Sequence, residues 1–452
     1  MKYQLPDGVK NILENFKKNN FQIYIVGGAV RDLLMKKDIN DWDFTTDAKP
    51  EEILKLFQKN LSFGEPFYNN KFGTVGIPTK EGGVYEITTM RKEGLYKDSR
   101  HPTNVSWTKK IEEDLARRDF TINAMGLDID GKIVDPYLGQ NDIKNKLIKT
   151  VGDAKIRFQE DALRLLRAIR IATELQFEID EKTLSAIKEN ALLLKQIAWE
   201  RIRDELFKIL SSSDPDIGIK NLREAELLQI ILPELEKCFG IVQQGPKHDR
   251  IYDIGEHSLL ALKYTPTKDP IVKFAALLHD IGKPDTIQIA SDGNVTFYNH
   301  DFIGGKIVLS IAKRFNLSNK QTDKLFRLVR WHMFSVSENQ TDSAIRRFIK
   351  NVGLENIESM MAVRVGDRLG GGTATETSWR IEKFKERIKE VLTKPFSISD
   401  LKINGKDVME ILNIKPGPKV GEILQKLFAE ALEDPSKNNR DYLIQQIKSL
   451  RN

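Results

Sequence analysis

The chain is nearly without cysteine. Cys238 is the only one among 452 residues, so no intrachain disulfide can form, and a reducing, cytoplasmic setting is the expectation. Histidine is almost as scarce, with six in all. No apolar run approaches the length of a membrane span. The opening MKYQLPDGVK lacks the basic-then-apolar profile of a secretory signal, so no membrane partner is expected. Neither charge sign dominates: 71 Lys plus Arg against 65 Asp plus Glu leave +6, compatible with a polyanionic partner but too little to demand one. Internal repeats and low-complexity tracts are also missing. What is there is a globular composition, 40% hydrophobic and 30% charged, in a chain too long for one core and sufficient for roughly two to four domains.

The patterning predicts an α+β fold. PDGVKNILENFKKN reads as a helix with Val9, Ile12, Leu13 and Phe16 on one face. FQIYIV is a short strand ending at Gly27-Gly28, and AVRDLLM resumes a helix. KFGTVGIP and GGVYEITTM alternate as strands around a Gly82-Gly83 turn. From about residue 155 the periodicity becomes helical and stays so. This predicts an α/β head over 1–150, a helical neck over 151–245, a histidine-bearing helical domain over 246–370 and a helical tail over 371–452. Late helices have N-cap candidates in Ser399 and Asp400.

GGAVRDLLMKKDINDWDF places Asp38, Asp41 and Asp43 within six residues, just past a glycine pair. Such crowding is unfavourable unless water or a cation balances it. If Asp43 begins a strand, Asp41 and Asp43 point to the same side. Two carboxylates at a glycine turn suit Mg²⁺, which often binds through one or two carboxylates plus substrate phosphates. Gly27 and Gly28 would let the backbone approach those phosphates, with the N–H groups of the following helix facing them. Arg31 could bind a phosphate oxygen, and Glu86 in VYEITTM supplies a third acid. A solvated acidic loop is the plainer alternative for the D-x-D alone.

With these residues in view, GGAVRDLL and DWDF resemble the signature of the polymerase-beta-like nucleotidyltransferases. The branch they resemble is class II, which holds tRNA CCA-adding enzymes and bacterial poly(A) polymerases. VYEITTMRKEGLYKDSRHP, IEEDLARRDFTINAM, EDALRLLRAIRIATELQF and WERIRDELFKIL follow in the family's order over about residues 21–210. The resemblance implies that Asp41 and Asp43 hold Mg²⁺ as the catalytic pair, supported by Glu86. It implies that Arg118 contacts the triphosphate, and that Asp119 and Asn123 hold the ribose. The loop at 91–102 would let the pocket pass from C to A.

Asp161 and Arg164 stand three apart on what reads as one helix, so they share a face. Alone they could be a surface ion pair, and Glu160 could compete for Arg164. Within the motif order they suggest a base reader. A carboxylate accepts and a guanidinium donates. Cytosine and adenine both pair an amino donor with a ring-nitrogen acceptor, whereas uracil and guanine present the reverse. Arg167 and Arg170 continue the face and could reach phosphate or RNA or simply be solvated, and Arg201 would orient the pair.

Five of the six histidines fall between 248 and 332. His257, His279, Asp280, His300, His332 and Asp367 run H…HD…H…H…D, residue types that suit a divalent metal. LLHDIGKP resembles the HD superfamily of metal-dependent phosphohydrolases. The resemblance implies core ligands at His257, His279, Asp280 and Asp367, with His300 and His332 serving a second metal or a substrate phosphate. His101 belongs with the mobile loop, and His248 has no motif partner.

The expectation is therefore a tRNA nucleotidyltransferase that adds CCA, or part of it, from CTP and ATP with Mg²⁺ and no nucleic-acid template. Its HD site would hold a divalent metal of open identity, with phosphohydrolase activity in view. A poly(A) polymerase on the same fold is an alternative, although KFGTVGI resembles the CCA-adding form. A phosphohydrolase or RNA-binding regulator with an inactive head is another. The tail, slightly basic, and its Gly417-Pro418 turn could meet tRNA backbone.

Overall fold

The structure is a computed structural model that describes residues 3–39, 41–58, 62–70, 73–80, 82–94, 105–244, 251–289, 291, 295–336, 340–373, 375–392 and 398–450. His101, His248, Pro395 and most of the 91–102 loop lie outside the described residues. Two compact units divide the chain, residues 1–236 and 237–452.

The first unit begins with a seven-stranded mixed sheet. Its order is Phe67–Asn70, Thr74–Pro78, Val84–Thr89, Asp43–Thr46, Ile23–Val26, Gly126–Leu127 and Ile133–Val134. Asp43–Thr46 lies near the middle, antiparallel to Ile23–Val26 and parallel to Val84–Thr89. β-Branched and aromatic residues fill these strands, as a pleated, buried surface favours. The Asp7–Lys18 helix buries Val9, Ile12, Leu13 and Phe16, as its spacing predicted. They join a core with Ile25, Phe44, Phe57 and Ile87.

Helices follow at Ala154–Glu160, Leu163–Leu175, Glu181–Asn190, Trp199–Leu210 and Pro215–Glu224. The single helix expected across Asp161 and Arg164 is in fact broken. Asp161 is extended (φ −144°, ψ 104°), and its carboxylate accepts the Leu163 N–H at 3.1 Å. An aspartate that bonds a backbone N–H two residues on offers the chain an alternative to continuing the helix. Asp161 thus stands in the junction and Arg164 in the first turn of the new helix.

In the second unit, Ile254–Tyr264 packs closely on Ile357–Gly370. Gly366 permits the approach, since a Cβ there would lie 2.1 Å from Thr265 Oγ1 and 2.4 Å from the Ala261 carbonyl. The expected helical character holds, with two short hairpins added: Val242–Gln244 with Ile251–Asp253, and Gln288–Ile289 with Val295–Thr296. The tail has its own core of Leu401, Val408, Ile423, Leu427, Leu443 and Ile447. Ser399 and Asp400 cap no helix there; they fall in a 3₁₀ turn. Asn404 caps Gly405–Leu412 instead, because its side chain accepts from Lys406 and Asp407 while Asp407 answers the Asn404 N–H at 2.7 Å. Among the described residues, no helix is long and apolar enough to cross a membrane.

Phe44, fully buried beside Asp43 and edge-on to Tyr85, ties the central strand to the core. Phe44→Ala should cost about 3–5 kcal/mol of stability by denaturant unfolding, and Phe44→Leu much less.

Candidate active site and metal centre

The head site begins with strand register. Val26 pairs with Asp43, and Asp43 pairs with Glu86 on the parallel strand. Trp42 is buried, which leaves exposed Asp41 and half-buried Asp43 on the other side of the chain. Gly27 turns the chain at φ +72°, a conformation that favours glycine. A Cβ there would lie 3.1 Å from Arg118 Nη1 and 3.6 Å from Asp43 Oδ2. The turn, the guanidinium and the acid therefore converge.

Electrostatics mark the same point. Burial, then the neighbouring charge of Asp41, pushes the Asp43 carboxyl up to about 6; Arg118 opposes this and Glu86 adds to it. Acidic oxygens lacking sufficient counter-charge fit a hard divalent cation. Arg118 is partly buried; among the described residues its buried Nε has no hydrogen-bond partner, and its nearest ion-pair contact is Asp114 at 3.6 Å. A partly buried, under-satisfied guanidinium beside the acids suits an anionic oxygen from outside.

Arg31 is more occupied than expected. It forks onto Asp32 at 2.8 and 2.9 Å and donates to Asn123 Oδ1 at 2.8 Å. Arg167 forks onto Asp119 at 2.8 and 2.6 Å. Burial would raise the Asp119 carboxyl, but Arg167 prevails and holds it well below the usual range. Arg170 is engaged by Glu205 at 2.7 Å and Glu174 at 2.8 Å. In this structure Arg167 and Arg170 therefore bind the protein's own carboxylates.

Asp161 Oδ2 accepts from Arg201 at 3.3 Å, as anticipated. Arg164 donates to Glu160 at 2.7 Å and to the carbonyls of Arg157 and Arg117 at 3.2 and 3.1 Å. Glu160 is thus its direct partner. Among the described residues these three bonds fix the guanidinium and leave two of its five N–H groups for a ligand. The sequence reading missed Asp114, which is fully buried. It accepts from Arg117 at 2.9 Å and from the Arg91 N–H at 3.2 Å. Its positions three and four before Arg117 and Arg118 carried the signal, but such spacing usually means a surface pair.

In the second unit, all six residues of the histidine motif meet. Asp280 lies at the centre. Its Oδ2 is 3.2 Å from His279 Nε2 and 3.6 Å from His257 Nε2, and Asp367 Oδ1 approaches the same two rings at 3.7 and 3.3 Å. Its Oδ1 faces His300 Nε2 at 3.4 Å and His332 Nε2 at 3.7 Å. Two ligand groups therefore share one carboxylate: His257, His279 and Asp280, then Asp280, His300 and His332. The Nδ1 atoms of His279, His300 and His332 lie 2.7–2.8 Å from the carbonyls of Ala276, Phe297 and Val329. Carbonyls only accept, so each Nδ1 carries a proton and donates it, which turns each Nε2 inward toward the carboxylates.

Burial and the His279 charge push His332 down to about 4. Burial would also lower His279, but Asp280 and Asp367 raise it. The acids thus call for positive charge at this point, and the donor set fits a divalent ion. Lys283, unanticipated, bonds Asp280 Oδ2 and Gln243 Oε1, both at 2.5 Å. Gly282 lets the His300 turn press in, since a Cβ there would meet the His300 carbonyl at 2.1 Å.

Comparison with known proteins covers both units. Residues 23–149 match the poly A polymerase head domain, 176–239 the "Probable RNA and SrmB- binding site of polymerase A", and 306–447 a tRNA nucleotidyltransferase domain 2. A CCA-adding enzyme of Ligilactobacillus salivarius is 31% identical over 99% of this chain and 98% of its own length. One from Staphylococcus saprophyticus is 32% identical over 94% of each. The solved Bacillus stearothermophilus CCA-adding enzyme in complex with CTP is similar at TM-score 0.71 and 26% identity, covering 98% of this chain and 96% of that one. A Thermotoga maritima enzyme complexed with tRNA shares the fold at TM-score 0.61 and 20% identity, over 99% and 97%.

Gly27→Ala forces a side chain into a left-handed turn beside Arg118, a strain of about 1 kcal/mol. It should raise KM for both CTP and ATP roughly tenfold while kcat falls less, as steady-state kinetics would show.

Proposed function

We propose a division of labour that starts from one premise: the chain belongs to the CCA-adding enzymes, tRNA nucleotidyltransferases that use CTP and ATP. Enzymes of this family use a divalent metal, and we infer Mg²⁺ in the head, held by Asp41 and Asp43 with Glu86 behind them. When bound, the ion would polarise phosphate oxygens and lower the pKa of the attacking hydroxyl. The protein's own groups supply position and charge. Gly27 and Gly28 let the triphosphate approach, Arg118 pairs with it, and Asn123 and Asp119 set the ribose. Arg167 keeps Asp119 ionised and correctly turned, so that it can accept from ribose hydroxyls. Arg31 acts through Asn123.

The base is assigned to Asp161 and Arg164. Asp161 accepts the amino group of C or A, and the free N–H groups of Arg164 donate to the adjacent ring nitrogen. The rigid cradle of Glu160 and two carbonyls is the observation that carries this reading. A donor already fixed by three bonds cannot turn to suit uracil or guanine, whose polarity is reversed. Residues 1–150 thus form the catalytic head and 151–245 the base-reading neck. The helices over 246–370 carry the metal centre, and 371–452 lie against tRNA.

The test uses tRNA lacking its 3′ end, resolved at single-nucleotide length. Addition of C, C and A with both nucleotides, and none by Asp43→Ala, is the expected result. A stop after CC, or A added only to RNA ending in CC, would make this a partial adder. Long A tails on unrelated RNA would indicate a poly(A) polymerase. Arg164→Ala should lose at least about 100-fold in kcat/KM for both correct nucleotides and narrow the preference for CTP over UTP.

A second activity is favoured by the histidine geometry. Two ligand groups about one carboxylate suit hydrolysis of a phosphoester by metal-bound water. Asp280→Asn should abolish Mn²⁺-dependent release of phosphate from nucleotide monoesters or opening of 2′,3′-cyclic phosphates. CCA addition by the same variant should be unaffected.

A further inference from the structure

We propose that Asp301 and Arg330 form a clamp that spaces His300 and His332 and so creates the second half of the histidine centre. The inference rests on reading that centre as a metal site. His300 is the first residue of the His300–Arg314 helix, and His332 lies just past the end of Asn319–Arg330. They therefore sit on separate segments, 32 residues apart in sequence, with their Nε2 atoms 3.3 Å apart. Two imidazoles on segments so far apart in sequence meet at that distance only if their segments are held together before an ion arrives.

Asp301 follows His300, and Arg330 stands two residues before His332. Their side chains form a direct ion pair and are about four-fifths buried. Arg330 is also flanked by two rings, Trp331 at 4.1 Å and Phe302 at 5.5 Å from its guanidinium carbon. Pairing and stacking together fix a planar guanidinium far better than either does alone. One turn along, Gly305 brings the helices close, since a Cβ there would lie 3.3 Å from Arg330 Cδ. The first half has a counterpart in Arg364, which donates to Asp367 Oδ2 at 3.1 Å. The difference lies in how each arginine acts. Arg364 touches a proposed ligand, whereas the Asp301–Arg330 pair acts through the backbone on either side of its two histidines. Both clamp residues are therefore positioning residues, and their loss should affect one half of the centre alone.

The test counts metal rather than turnover. Full-length protein carrying Asp43→Ala, which disables the head site, is stripped and titrated with Co²⁺ under equilibrium dialysis. The visible absorbance of the ion reports its ligands. The background protein should take up two ions per chain. Adding Asp301→Ala should weaken one of the two by about 10–100-fold, the usual effect of removing a group that orients a ligand, and leave the other unchanged. Arg330→Lys keeps the charge without the planar fork and should give the same split in milder form, which covers the case where Asp301→Ala loses its helical signal. Two ions bound with unaltered affinities in these variants would overturn the clamp while sparing the metal centre. One ion or none in the background protein would overturn the clamp together with the two-metal or whole metal reading.

Discussion

Like charges held closer than they would choose to be are the constraint on which this molecule depends. Asp41, Asp43 and Glu86 are brought together by strand register, and Asp280 and Asp367 by the packing of helices around four imidazoles. In both places the fold works against repulsion and desolvation. The raised carboxyl of Asp43 is the visible sign in the head. In the second unit the signs are the Lys283 contact on Asp280 and the raised His279. Such confinement makes sense where cations complete the balance.

Between the acids and the proposed base reader stands a lattice of arginines, most already committed to a partner. Arg167 locks Asp119, Arg201 steadies Asp161, and Arg117 leans on Asp114 while its carbonyl receives Arg164. Under the proposed assignment, specificity without a nucleic-acid template rests on this rigidity. A flexible arginine would rotate to satisfy whichever base arrived, whereas one already spending three donors presents a fixed pattern.

Strands, glycine turns and the acids were legible in the sequence because alternation and charge crowding are local signals. The histidine centre was legible because the residue is scarce and its spacing distinctive. The break at Asp161 was not, since helical periodicity runs through it and only the side chain's bond to Leu163 N–H ends the helix. Arg167 looked free because its partner lies 48 residues away. Asp114 looked like a surface residue because its partner, the Arg91 N–H, lies 23 residues away in sequence. Local pattern names the chemical groups, and tertiary contact decides which are spent on structure.

The most direct test of the confined-charge account is the unfolding free energy of Asp43→Asn against the unaltered chain, without and with Mg²⁺ plus CTP. A carboxyl raised from 3.8 to about 6 in the folded state loses stability as pH climbs through that range. At neutral pH and without metal, the variant should therefore be more stable by about 1–2 kcal/mol, after allowance for partial exposure. It should gain little from Mg²⁺ and CTP, where the unaltered chain gains substantially. A variant less stable without metal, or equally stabilised by Mg²⁺ and CTP, would contradict the account.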